Sequence, residues 1–191
     1  LDETFFTLRV YETAKDLISQ LNEPVNRELI LVSAILHDIG KIKLNEEKLK
    51  ARRSESLGKR TEWAKHPKLS VPIAKEILEE QGHSKEFIEE VLHLVENHSN
   101  KDCEKSIELK ILQDADKLAD YGYESVIRCF LYGGKFQQPT IDSIKFLENN
   151  PIKERYEDLN LEISKIIGQE KIKKHNNLVK ELAKSIESDL L

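Results

Sequence analysis

His37 and Asp38 stand side by side at the end of an apolar run from Leu29 to Leu36, and this pairing is the first feature with chemical potential. A carboxylate in an apolar setting is costly unless a cation or hydrogen bonds compensate it. The neighbouring imidazole offers a neutral nitrogen donor. Successive helical residues differ by about 100° around the axis, so both side chains meet one object only at a corner of the helix end. A metal ion satisfies that geometry. So does an Asp38 that caps a neighbouring helix beside a His37 that fills core space.

The second feature is Asp114-Ala115-Asp116-Lys117-Leu118-Ala119-Asp120, in which acids alternate with apolar residues inside an apolar helix. Asp116 and Asp120 share a face at i,i+4 and repel unless a cation or a structural partner sits among them. A solvated acidic face is the plain alternative. Two histidines add to the donor supply at expected helix ends: His66 before Pro67, and His98 in Glu96-Asn97-His98-Ser99. Side chains from several helices can converge there, which turns the odds toward a metal site. His93 is ambiguous, and His83 and His175 read as surface residues.

The elements that must position these groups are helical. Leu8, Tyr11, Ala14, Leu17, Ile18 and Leu21 fall at helical spacing over 4–21, and Asn22-Glu23-Pro24 ends that helix. Pro24 suits the start of a second, largely apolar helix that closes near Gly40. Residues 41–65 read as a charged loop with short helical pieces. A third helix spans Pro67 to Gln81. Ser84 is the expected N-cap of a fourth, with Glu86 and Glu89 suited to its positive start. A fifth carries Ile107 to Ala119. Residues 140–191 divide into two or three amphipathic helices, with breaks near Pro151 and Gly168. The fold class is therefore all-α.

Composition narrows the function classes. The 191 residues are 39% apolar and 34% charged, as in a globular chain. The net charge of −5 disfavours a general nucleic-acid or membrane binder. Cys103 and Cys129 are too few for a disulfide framework and fit reduced thiols in a cytoplasmic protein. No apolar stretch is long enough to span a bilayer, and no secretory signal is visible. The absence of Met and the start at Leu1 fit a trimmed polypeptide.

Leu36-His37-Asp38-Ile39-Gly40-Lys41 resembles the signature of the HD superfamily of metal-dependent phosphohydrolases. About 80 residues later, Leu112-Gln113-Asp114-Ala115-Asp116-Lys117-Leu118 resembles that family's final metal-aspartate motif. The resemblance covers roughly residues 4–135. It implies an HD-domain helical bundle over 1–135, with 136–191 as a C-terminal helical extension packed on it. It also implies that His37, Asp38 and Asp116 bind the metal, that Asp114 orients a ligand or a water, and that Asp120 faces the pocket. One position departs from the pattern: where family members carry a first ligand His, this chain has Phe6. Either a ligand is lost or missing residues hide it. His66 and His98 resemble the extra histidines that some members use for a second metal or for acid–base work. The Gly-Tyr-Pro segment of the two-metal, cyclic-dinucleotide branch is absent. Small stand-alone members, some of which hydrolyse nucleoside phosphates, are the better likeness.

The chemistry so implied is phosphomonoester or pyrophosphate hydrolysis by a metal-activated water. A mixed His/carboxylate set suits Mn, Fe, Ni, Co or Zn better than Mg, with room for two ions. Lys41 is the first cation expected at the phosphate. Arg52 and Arg53 are candidates for binding it, and Lys59, Arg60 and Lys65 are weaker ones. His66 or His98 would protonate the leaving group. The expected partner is a small phosphate substrate such as a nucleotide, and a homodimer is compatible with the sequence. The alternative is a degenerate HD domain that binds a nucleotide or a partner without turnover, a reading that Phe6 favours.

Overall fold

The computed structural model describes residues 3–45, 49, 62–149 and 158–189. Among these every regular element is helical. α1 spans Glu3–Ser19 and α2 Arg27–Leu36, and a short 3-10 turn spans Ile39–Lys43. α3 spans His66–Glu80, α4 Lys85–Asn97, α5 Ile107–Ala119 and α6 Tyr123–Lys135. α7 spans Thr140–Asn149 and α8 Glu162–Asp189. No described helix is long and apolar enough to cross a membrane. The chain divides into two compact units, 3–116 and 117–191.

In the first unit, α1 packs on α2, α2 on α4, α3 on α4, and α3 on the 3-10 turn. Val10, Ala14 and Leu17 of α1 and Ile30 and Ala34 of α2 are fully buried, following the spacing that defines an apolar helical face. α2 begins later than Pro24. Asn26 is its N-cap, and its side chain accepts a hydrogen bond from Leu29 N at 3.1 Å. An amide side chain can satisfy an orphan donor of the first turn, which proline's ring cannot. Ser84 caps α4 as expected, accepting from Phe87 N.

Gly40 brings the 3-10 turn against α3. A Cβ at this residue would lie 2.4 Å from both His66 O and Ser70 N, so only glycine allows this approach. Ser70 fastens the contact. Its Oγ accepts from Gly40 N at 2.8 Å and lies 2.8 Å from His37 O and 2.9 Å from His66 O, with one proton to share between the two carbonyls. The end of α2 and the start of α3 are thereby tied together.

In the second unit, α6, α7 and α8 pack on one another. Val126, Cys129, Leu147 and Val179 form their core. The last turn of α6 contains Gly133-Gly134. Two expectations change here. Gly168 does not break the C-terminal segment: it lies inside α8, where a Cβ would meet Leu159 Cδ1 at 2.7 Å. His175 is buried rather than on the surface, with Nδ1 2.6 Å from Ser125 Oγ and 3.3 Å from Gly122 O. The expected break near Pro151 and most of the 41–65 loop lie outside the described residues.

Candidate metal centre

Three histidines come from three helix ends, and one device orients all of them. His37 follows α2, His66 opens α3 and His98 follows α4. The Nδ1–H of each donates to the carbonyl three residues back: His37 to Ala34 O at 2.8 Å, His66 to Trp63 O at 2.6 Å, His98 to Val95 O at 2.7 Å. This fixes each ring and points its Nε2 inward, the nitrogen through which a neutral imidazole binds metal.

These nitrogens meet the carboxylates of Asp38 and Asp116. His37 Nε2 lies 3.2 Å from Asp38 Oδ2 and 3.5 Å from Asp116 Oδ1. His66 Nε2 lies 3.1 Å from Asp38 Oδ1, and His98 Nε2 lies 3.8 Å from the same oxygen. The two triads, His37–Asp38–Asp116 and Asp38–His66–His98, each keep their ligand-type atoms within 4.8 Å of one another and share Asp38.

The donor set fits a divalent cation. His66 Nε2 and His98 Nε2 face each other at 3.0 Å, and with both Nδ1–H groups committed, two neutral rings would set lone pair against lone pair unless an ion or a proton sits between them. His37 Nε2 and Asp38 Oδ2 are buried without a well-directed hydrogen bond. Lys41 Nζ does lie 2.5 Å from Asp38 Oδ2. That contact is an ion pair by distance, and charge attraction tolerates a poor angle. Such facing acceptors are stable only around positive charge.

The protonation pattern agrees. Burial disfavours an imidazolium at His37, but Asp38 and Asp116 outweigh it and push the pKa up to about 10. Burial and the neighbouring His37 charge push His98 down to about 4. Burial would raise both carboxyls, yet His37 holds Asp116 below the ordinary value and Asp38 well below it. The centre therefore holds a cation even without metal, in the form of a proton on His37.

The other expected residues distribute unevenly. Lys41 is at the centre, its ammonium 5.2 Å from the Phe6 ring centroid and 5.3 Å from that of Trp63. Asp114 is fully buried but belongs to neither triad. It is two residues from Asp116, about 200° around α5. Asp120 belongs to neither triad and accepts from Arg128 Nη1 at 2.8 Å, within the second unit. Lys65 pairs with Glu62 at 2.8 Å. Arg52, Arg53, Lys59 and Arg60 lie outside the described residues. Phe6 is buried, with its ring centroid 6.4 Å from that of His37.

Sequence reasoning missed the supports. Besides Gly40 and Ser70, Gln113 Nε2 donates to Asn97 O at 2.9 Å and Asn100 O at 2.8 Å, holding the turn that carries His98. A polar Gln in the apolar Ile111–Ala115 run was the available signal.

The sequence pattern of the HD domain matches residues 7–120. The chain belongs to the HD domain family. Solved structures of similar fold include Bacillus subtilis YpgQ, with a TM-score of 0.70 and 20% identity over 95% of this chain and 87% of that one. An HD-superfamily hydrolase from Bacillus thuringiensis gives a TM-score of 0.66 and 24% identity over 96% and 85%. YpgQ has also been solved in complex with ADP, with a TM-score of 0.69 and 20% identity over 95% and 88%. At these identities the likeness is one of fold. No protein of curated function matches the sequence. The HD match encloses all five donors of the centre.

Proposed function

We propose that this HD-domain protein is a metal-dependent phosphohydrolase acting on a nucleotide or a related phosphate ester. The observation that carries the reading is Asp38, whose two oxygens each face a separate set of imidazole nitrogens. His37, Asp38 and Asp116 would hold one divalent ion, and Asp38, His66 and His98 offer a place for a second. When bound, such an ion acidifies a water and polarises a phosphoryl oxygen.

The chain's own residues supply the rest. Water oxygen bonds to phosphorus, the bond from phosphorus to the leaving oxygen breaks, and the leaving oxygen takes a proton. Lys41 supplies fixed positive charge where the phosphoryl oxygens gain negative charge. Arg52 and Arg53 remain proposed phosphate contacts. His98, fully buried and neutral near pH 7, is a poor proton donor. His66, with 15% of its side chain exposed, is the better placed acid if the second triad holds no ion. Asp114 would act only indirectly, through α5. The YpgQ complex with ADP supports a nucleotide as the substrate.

A specific observation favours a second reading, binding without turnover. Phe6 packs against His37 where family members carry a ligand, so the first triad lacks one donor. Metal content of the purified protein, followed by phosphate release from a nucleotide panel with Mn²⁺, separates the readings. Bound metal with turnover is expected. Stoichiometric metal with no turnover on any nucleotide or phosphate ester would overturn the hydrolase.

A further inference from the structure

A cleft of about 280 Å³ is lined by residues of α1, the end of α2 and the 3-10 turn. Asp38 and Lys41, which belong to the metal centre, are part of its lining. Its walls are chemically simple. Ile35, Ile39 and Ile42 supply the apolar surface, and Thr4 and Thr7 bring two hydroxyls from α1. Ile35 is 50% exposed and Ile42 72% exposed. Single exposed isoleucines need no explanation, but three lining one cleft that reaches a catalytic-type carboxylate form a surface suited to an apolar ligand.

A phosphate ester whose phosphoryl group sits at Lys41 must put its organic part somewhere, and this cleft continues from that position. The lining selects the class of that part. A second charged group would find no opposite charge among the wall residues. A polyol would leave most of its hydroxyls against isoleucine, unpaired and desolvated. A flat, weakly polar ring loses little there and gains apolar burial. A hydroxyl can donate or accept. Thr4 and Thr7 can therefore meet the edge of any base without reading its donor and acceptor pattern strictly.

We propose that this cleft is a nucleobase subsite that recognises the presence of a base but discriminates weakly among bases. Its meaning for catalysis rests on the hydrolase reading, but its test does not. The full chain, kept metal-free in chelator so that no turnover occurs, is titrated calorimetrically with AMP, GMP, CMP and ribose 5-phosphate. AMP should bind at least about tenfold more tightly than ribose 5-phosphate, with the three nucleotides within about threefold of one another. Ile42→Ser, at a largely exposed position that folding does not depend on, should weaken AMP about three- to tenfold and leave ribose 5-phosphate unchanged. Ile35→Ser provides the same comparison from the other wall.

Equal affinity for AMP and ribose 5-phosphate, or AMP binding indifferent to both isoleucine substitutions, would overturn the subsite. A strong preference for one base would overturn the weak discrimination. If the base preference holds and no ester is ever hydrolysed with metal, the subsite stands and the hydrolase falls. If esters are hydrolysed and the base contributes no affinity, the reverse is true.

Discussion

The buried ring of Phe6 lies with its centroid 6.4 Å from that of His37, so an apolar side chain abuts the imidazole at the heart of the donor cluster. Phe6 also faces the Lys41 ammonium at 5.2 Å. The centre thus has one wall that cannot donate a lone pair, and its charge balance is made up by an ammonium on Asp38.

Phe6→His should therefore add a donor. Affinity for Mn²⁺ or Ni²⁺, read by competition with a chromogenic chelator, should rise by about tenfold. The metal-free variant should melt lower than wild type, because a polar ring replaces buried apolar area. The metal-loaded variant should melt higher, because binding to the native state adds stability. Unchanged affinity would mean that position 6 does not reach the ion.

The pH dependence of the metal-free protein follows from two histidines shifted in opposite directions. His37 titrates near 10 in the folded chain against an ordinary 6.5, so the folded state holds its proton more tightly. The stability this contributes is complete below pH 6.5 and is lost as pH rises through 10. His98 titrates near 4, so its contribution is complete above pH 6.5 and is lost as pH falls toward 4. Asp38 and Asp116, both depressed, add to the acid-side loss. Melting temperature in chelator should peak near pH 6.5 and fall on both sides, each limb on the order of a few kcal/mol. Saturating metal should flatten the alkaline limb, because the ion takes the place of the His37 proton. An alkaline limb identical with and without metal would show that the ion does not bind at His37.

Much of the centre was legible because its donors sit beside strong local signals. His37-Asp38 precedes Gly40, His66 precedes Pro67, and Asp116 interrupts an apolar periodicity. The Ser84 cap was readable for the same reason: capping is decided within four residues. What stayed hidden depends on partners distant in sequence. Gly168 reads as a helix breaker until Leu159 is seen against it. His175 reads as a surface residue until Ser125, 50 positions earlier, meets its ring. Asp120 gives no hint in the sequence of its pairing with Arg128, eight positions on. Gln113 and Ser70 are ordinary polar residues whose work lies in carbonyls across the fold.

Asp116 and Asp114 differ by two positions and should differ sharply in effect. Asp116 Oδ1 lies 3.5 Å from His37 Nε2, whereas Asp114 belongs to neither triad. Asp116→Asn should lower metal affinity by at least about a hundredfold. Asp114→Asn should lower it by no more than about tenfold, through disturbance of α5 alone. His37→Ala and Asp38→Ala should abolish both metal binding and turnover. Equal losses for the two aspartate variants would reverse their proposed roles.

Gly40 gives the most demanding check on the geometry, because it makes no contact with a ligand and yet sets the distance between two donor-bearing elements. A methyl group at this residue meets His66 O and Ser70 N at 2.4 Å, and Leu69 C at 2.6 Å. These are backbone atoms and cannot rotate away. Gly40→Ala must push α3 off the 3-10 turn, break the Gly40 N to Ser70 Oγ bond, and carry His66 away from Asp38. Stability should fall by about 3 kcal/mol, as for overpacked cores. In the fraction that folds, metal affinity should fall as well. Gly134→Ala is the matched control, since nothing lies within 4 Å of its added Cβ. It sits in the last turn of α6 and should be neutral or stabilising by a few tenths of a kcal/mol. A Gly40→Ala protein with wild-type melting and wild-type metal binding would show that the approach of α3 does not position His66.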